Sequence, residues 1–466
     1  MIVTDTIWPP DFANISESKY IVLIQSLRAA VRSGELSVGF KLPPVRELAW
    51  QLGITPGTVA RAYKMAVEEG LVETTVGRGT FVSEGERAEP VVEESLVSVY
   101  QDTDLNMRGV KVPEVGQDAS IRQIMRQLGG EIGQNYVDCP TPDSDLAARQ
   151  AVVDWIGPDR VGRLSADDIV LGLGAQHSVI MTLQACLYGP NPVILTEDLG
   201  YPGIRHAARL LRAQAVGVKM DQDGMRPDLL EEALRQHGGQ ALVTVAETHS
   251  PTTIRASETR RQEIAEIARR YQLQIIEDDC YCVCRTDRPT YRAIVPERAW
   301  YVSSLTKSVS AAVRFGYVAC ATGKASVARQ VAQSTFYGLP TPILDLCTEL
   351  LTSGEAERLR RLTSAKTEEL VKIAVNILGK WDIRWRKEVP FIWLRLPQGW
   401  RGSTFTAACA AEKIGIKSAD EFALQDGQAP NAVRIGINPQ IPQAEFERAL
   451  RRMSEMLENP PNSVDV

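Results

Sequence analysis

No stretch of the 466 residues stays apolar for the roughly 20 positions that a bilayer-crossing helix needs. The opening MIVTDTIWPPDFANI has neither a basic start followed by an apolar run nor a small-residue cleavage site, so no export signal is expected and the chain is read as cytoplasmic. Eight cysteines without framework spacing exclude a disulfide scaffold and fit a reducing compartment. There is no excess of basic charge: at a formal net charge of −6, nucleic acid would be attracted only by a local patch. Repeats and low-complexity tracts are also missing. What is present is an ordinary globular composition, 44% hydrophobic and 24% charged, over a length that allows two or three domains.

Residues 1–83 carry short helical patterns followed by two β runs around a Gly-Arg-Gly turn, a small α+β module. The stretch EGERAEPVVEESLVSVY, residues 84–100, is acidic and has no period able to bury a face, so a linker is expected there. From 101 to 466 apolar runs such as DIVLGLG, NPVILTE, ALVTVAE and LQIIEDD alternate with amphipathic stretches such as SETRRQEIAEIARRYQ. That alternation predicts βαβ units, a mostly parallel sheet with helices on both faces, and after about residue 350 a small C-terminal α/β subdomain.

Within the first module, PPVRELAWQLG predicts an amphipathic helix with a glycine stop, and TPGTVARAY opens a second helix with Thr55 as N-cap and Pro56 at the first position. Two helices joined so tightly suit a helix-turn-helix, whose second helix offers its first residues to the major groove. Thr58 and Arg61 are then expected on the exposed face, with Arg46 and Arg78 as phosphate or groove contacts. The whole string from Gly34 to Val82 resembles the winged helix-turn-helix of the GntR family. It has the Leu-Pro, the Arg before Glu-Leu-Ala, the Thr-Val and Ala-Tyr pairs, and a Gly-x-Gly-Thr-Phe-Val wing that includes Gly79. The resemblance implies binding to double-stranded operator DNA through Arg46, Thr55, Thr58, Arg61, Arg78 and Gly79. Pro56 stands where the family has Arg or another polar residue. Residues 1–83 hold eight Lys/Arg and eight Asp/Glu, so binding requires their segregation onto opposite faces.

In the second module the strand-like Trp300–Ser303 leads into Ser304-Leu305-Thr306-Lys307, with Arg314 seven residues beyond the lysine. A desolvated lysine condenses readily with an aldehyde, and a hydroxyl with a guanidinium can hold a phosphate. Upstream, IIEDDCY ends a buried strand in carboxylates and a tyrosine, and a carboxylate keeps a pyridine nitrogen protonated as an electron sink. The combination suits pyridoxal 5′-phosphate. Asp278 is the preferred partner of the ring nitrogen, with Asp279 as the alternative.

These residues resemble the fold-type I aminotransferases from about residue 100 to the C-terminus. The resemblance implies a Schiff base on Lys307, phosphate ligands in Ser304 and Arg314, and ring contacts from Asp278 and Tyr281. Gly174-Ala175-Gln176 matches the family's phosphate turn at a helix N-terminus. Tyr201 matches the stacking aromatic, and Tyr136 a tyrosine that reaches the phosphate of the neighbouring subunit. Arg434 matches the arginine that grips an amino acid's carboxylate. Ser250, in His249-Ser250-Pro251, stands where the family has an Asn on the ring hydroxyl, which argues against efficient transamination. Leu199 and Ala147 are further departures. His249 is read either as a ring contact or as a satisfied core histidine. Cys280, Cys282 and Cys284 alternate, but zinc sites use other spacings and a second ligand pair, so packing thiols and no metal are expected.

A GntR-type winged helix joined to a fold-type I aminotransferase-like domain is similar to the MocR subfamily of transcription regulators. That resemblance implies a head-to-tail homodimer that senses a small amine or amino acid by external aldimine formation at Lys307, with Arg434 on the carboxylate. Three other readings stay open: pyridoxal phosphate itself as the signal, a working aminotransferase, and a cofactor-free dimerisation scaffold.

Overall fold

Apolar residues spaced three and four apart build the N-terminal unit. A computed structural model describes residues 8, 19–32, 34–68, 70–75, 79–83, 105–130, 136–141, 143–281, 288–424 and 429–460. The chain divides between Ser98 and Val99 into two units. In the first, α1 (Lys19–Arg32) buries Leu23, Ile24 and Leu27, α2 (Val45–Gln51) buries Leu48 and Ala49, and α3 (Pro56–Glu68) buries Val59, Ala62, Tyr63 and Ala66. The turn between α2 and α3 passes through Gly53 at φ +60°, a left-handed conformation that glycine adopts without a Cβ clash. Thr55 caps α3, its Oγ1 accepting the Thr58 N–H at 3.3 Å. The Tyr63 hydroxyl donates to the Pro43 carbonyl at 2.8 Å, tying α3 to the entry of α2. Strands β1 (Val72–Thr75) and β2 (Gly79–Val82) pair antiparallel with Val72 opposite Val82, forming the wing. The linker predicted over 84–100 lies outside the described residues.

The second unit is built on a seven-stranded sheet. Its strands are β3 (Ile169–Leu173), β4 (Val193–Glu197), β5 (Gln214–Val218), β6 (Ala241–Thr244), β7 (Gln274–Asp278), β8 (Ala299–Ser304) and β9 (Phe315–Ala319). They run in the order β3-β9-β8-β7-β6-β4-β5. Neighbours pair parallel except around β9, which is antiparallel to both β8 and β3. The near-continuous apolar runs fit strands covered on both faces. One face packs Ile169, Leu171 and Phe315 against helices, and the other packs Val170, Ile194 and Val302. Because six strands point one way, Leu173, Glu197, Thr244, Asp278 and Ser304 all end at one edge, where ligands of open α/β sheets bind. The antiparallel β9 starts at that edge, so Arg314 is delivered there from the opposite direction.

A second sheet lies towards the C-terminus. Strands β10 (Ile383–Arg384), β11 (Phe391–Arg395), β12 (Lys417–Ser418) and β13 (Ala432–Gly436) pair antiparallel in the order β10-β11-β13-β12. Ile392, Leu394, Val433 and Ile435 pack against the helices Glu355–Leu378 and Gln443–Glu458. The segment after Leu105–Asn106 is bonded into this subdomain, the Gly436 N–H donating to the Met107 carbonyl at 2.7 Å. No helix among the described residues is long and apolar enough to cross a membrane.

Candidate functional site

At the edge of β3 the chain turns into the helix α4 (Gly174–Cys186). Gly174 has φ +81°, and a Cβ there would lie 2.8 Å from Arg314 Nη2. Gly316 faces it so closely that a Cβ on Gly316 would lie 2.5 Å from the Gly174 carbonyl carbon. Arg314, itself at φ 49°, donates through Nη2 to the Leu173 carbonyl at 3.0 Å. The backbone N–H groups of Gly174, Ala175 and Gln176 open this helix, where unpaired donors and the dipole favour an anion. The Gln176 side chain is occupied elsewhere, its Nε2 donating to the Gly203 carbonyl at 2.8 Å. Ser304 is buried and accepts the Thr306 N–H at 3.3 Å. Sequence reading missed two groups here. The buried Thr306 Oγ1 has no partner among the described residues, and His177 Nδ1 accepts the Leu173 N–H at 3.2 Å. Burial and the nearby Arg314 hold the His177 imidazole below its ordinary range.

Further along the edge, the two adjacent acids at the end of β7 have different surroundings. Asp279 Oδ2 accepts from Arg160 Nη2 at 2.7 Å and from the Tyr301 hydroxyl at 2.9 Å, a buried structural pair. Asp278 has no cationic partner among the described residues and accepts the Cys280 N–H at 3.2 Å. Burial pushes its carboxyl up to about 6, with Asp279 and Glu197 adding to the effect. Tyr201, which precedes the helix α5 (Pro202–Leu210), has its phenol held above the ordinary range by burial and by Tyr281, Cys280 and Asp278 around it. Gly203 makes this packing feasible, since a Cβ there would fall 2.2 Å from both Gln176 Oε1 and Tyr201 Cε1. The Lys307 ammonium lies 5.5 Å from the Tyr281 ring centroid and donates to the Val110 carbonyl at 3.4 Å. Lys307 is half-buried and has no acidic partner among the described residues.

Arg434, on β13, reaches the same crevice from the smaller sheet. Nη1 donates to Ser250 Oγ at 2.9 Å and Nη2 to the Arg108 carbonyl at 2.7 Å. Its guanidinium lies 4.8 Å from the Phe422 ring centroid and 5.4 Å from that of Phe391, and Phe391 meets the Tyr281 ring edge-on at 5.2 Å. His249 is buried, its Nδ1 sharing a hydrogen bond with Thr252 Oγ1 at 2.7 Å, and burial lowers it to about 4. It is therefore a neutral imidazole packed in the core.

Some predicted residues stand apart from this cluster. Tyr136 is exposed. Cys280 sits in a turn rather than an extended run, and Cys282 and Cys284 lie outside the described residues. In the N-terminal unit Arg46 and Thr55 are exposed and Thr58 is half-buried. Arg61 is exposed but lies over the Tyr20 ring, 4.1 Å from its centroid. Gly79 has φ +121° with the Lys41 side chain against it, and Arg78 lies outside the described residues.

A helix-turn-helix with a two-stranded wing, and a mostly parallel sheet with a polar crevice at its strand ends, define a DNA-binding domain joined to an aminotransferase-like domain. The chain belongs to the family "Aminotransferase class I and II", which matches residues 112–453, and residues 19–82 match the bacterial regulatory proteins of the gntR family. Among its relatives is the HTH-type transcriptional regulator YdeF of Bacillus subtilis, 27% identical over 97% of both chains. Another is the vitamin B6 salvage pathway transcriptional repressor PtsJ of Salmonella typhimurium, 25% identical over 74% of this chain and 77% of that one. Among solved structures, an archaeal alanine:glyoxylate aminotransferase is 22% identical, with a TM-score of 0.66 over 75% of this chain and 91% of its own. The α-aminoadipate aminotransferase LysN from Thermus thermophilus, complexed with N-(5′-phosphopyridoxyl)-L-leucine, is 20% identical, with a TM-score of 0.66 over 76% and 92%. These structural likenesses establish the fold.

Proposed function

We propose that this chain is a cytoplasmic transcription regulator that holds pyridoxal 5′-phosphate at Lys307 and senses an amine or amino acid there. The observation that carries the reading is the buried Asp278 carboxylate, which has no cation among the described residues, in one crevice with a lysine that has no acid among them. A protonated pyridine nitrogen would supply the missing partner, and the residues around it fit the rest of the group. Gly174, Ala175 and Gln176 would offer backbone N–H groups to its phosphate, joined by Ser304 and Arg314. Tyr201 would stack on its ring, and Tyr281 and Ser250 would meet the ring oxygen. In a head-to-tail homodimer Tyr136 would reach the partner's phosphate. Bound there, the cofactor supplies an aldehyde carbon and an electron-withdrawing ring. Lys307 would hold that carbon until an incoming amine takes its place, and Arg434 would grip the effector's carboxylate.

On this proposal the winged helix of residues 1–83, joined by the linker 84–100 to the sensing domain 101–466, docks on operator DNA through Arg46, Thr55, Thr58, Arg61, Arg78 and Gly79. Effector binding changes operator affinity only by its differential affinity for the two states. The test is Lys307→Ala. It should abolish the visible absorption band of the purified protein and the response of operator binding to amines, and an unchanged band with an unchanged response overturns the proposal. A second reading, in which the vitamin is itself the signal, is favoured by the relative PtsJ, named as a repressor of the vitamin B6 salvage pathway. Titrating pyridoxal phosphate into apoprotein on operator DNA separates the two, because a cofactor sensor responds with no amine added.

A further inference from the structure

Leu173, the last residue of β3, is where the strand bends into α4, with φ −78° and ψ 61°. Side chains hold the peptide groups on both sides of that bend. The Leu173 N–H donates to His177 Nδ1 at 3.2 Å, and the Leu173 carbonyl accepts from Arg314 Nη2 at 3.0 Å. A ring nitrogen that accepts carries no proton, so this imidazole is neutral with its proton on Nε2; a protonated ring has two donors and no acceptor. Burial and the Arg314 charge favour that neutral form. The ring also has a fixed seat. Phe336 meets it edge-on at 4.7 Å, and Gly172 leaves the room, since a Cβ there would lie 3.2 Å from Nδ1 and 2.6 Å from Ser178 Oγ.

We infer that His177 is a positioning residue for the phosphate end of the crevice, fixing the bend at Leu173 so that Arg314 and the first N–H groups of α4 face one anion; the inference rests on the cofactor reading of that crevice. Arg314 is exposed, and the Leu173 carbonyl is the acceptor that anchors its guanidinium. A guanidinium has five N–H donors, so this anchor leaves others for a phosphate. The next residue, Gly174 at φ +81°, starts the row of backbone donors at the helix N-terminus. Both sets of donors therefore hang on Leu173, whose own N–H has its acceptor in His177. Without that acceptor the N–H is left unpaired, the bend is free to shift, and the two sets lose their common frame. His177 acts through the backbone and need not touch the anion, because its Nδ1 is turned to Leu173.

The experiment compares the full-length apoprotein with its His177→Leu, His177→Ala and His177→Asn variants, after their melting temperatures have been recorded. Leucine keeps bulk against Phe336 and alanine does not, while the asparagine Oδ1 can accept in place of Nδ1. Affinity for inorganic phosphate is read by phosphorus NMR titration. Affinities for pyridoxal 5′-phosphate and for pyridoxal, which lacks the phosphate, are read from growth of the visible band. Loss of the bond to the Leu173 N–H predicts about tenfold weaker binding of both phosphate-bearing probes to His177→Leu and His177→Ala. Pyridoxal affinity should be unchanged, and His177→Asn should restore the wild-type values. Unchanged affinity for the phosphate-bearing probes in the leucine and alanine variants, or an equal loss for pyridoxal, overturns the inference. If phosphate binding depends on His177 while the wild type develops no band with either aldehyde, the positioning role stands and the cofactor reading fails.

Discussion

Asp279 is held by Arg160 at 2.7 Å with both side chains nearly sealed from solvent, while Asp278, one residue earlier, has no such partner among the described residues. The neighbours therefore have separable roles. Asp279→Asn leaves Arg160 buried opposite a neutral group, and breaking such a pair costs about 3–5 kcal/mol. Chemical denaturation should show that loss, whereas Asp278→Asn should fold normally and fail to develop the visible band with pyridoxal phosphate.

Asp278 also predicts a pH dependence. Its folded carboxyl is raised from 3.8 to about 6, so between those values the folded state binds more protons than the unfolded one. Stability of the cofactor-free protein therefore falls as pH rises from about 4 to about 6, by up to about 3 kcal/mol from this group. Wild-type and Asp278→Asn apoproteins should melt alike near pH 4. The variant should be the more stable at pH 7, and adding the cofactor should remove that advantage.

Gly203→Ala would place a methyl 2.2 Å from Tyr201 and from Gln176. Relieving that contact requires both side chains to move, at about 1–3 kcal/mol as for other overpacked sites. Cofactor titration should show weaker binding, and a larger fall in melting temperature for the holoprotein than for the apoprotein.

For DNA, Arg46→Ala removes an exposed charge on α2 without touching the core. On the proposed backbone role, operator affinity should fall uniformly across sequences, and the slope of log K against log salt should shrink by about 1. Thr55→Ala acts differently: it removes the α3 cap and should cost about 1 kcal/mol of folding stability in thermal melts.

Features set by local chemistry were legible in the sequence. The cap at Thr55, the glycine stop at Gly53, the wing and the order of apolar strands all follow from neighbouring residues and their period. The pairing that occupies Asp279 was not, and so Asp279 stayed an alternative to Asp278, because that pairing depends on Arg160, 119 residues away in the chain. The bond between Arg434 and Ser250 spans 184 residues and likewise has no local signature. Thr306 and His177 were overlooked because turn geometry decides where a hydroxyl or imidazole points. Gln176 illustrates the converse, since it stands in the turn that opens α4 while its amide is spent on Gly203.

The facing pair Gly174 and Gly316 constrains how this protein can change over time. A Cβ on Gly316 collides with the backbone of Gly174, and one on Gly174 collides with Arg314. No substitution at Gly174 makes room at Gly316, because the clash is with backbone, whereas the contact at Gly174 is with the movable end of Arg314 and the obstacle there is its left-handed φ. A saturation library should therefore be empty at Gly316, and restricted at Gly174 to residues that tolerate a left-handed φ, even when variants are selected only for folding. In such a library Gly316 would register as a fixed point of the scaffold beside the turn into α4, whatever ligand a descendant came to recognise.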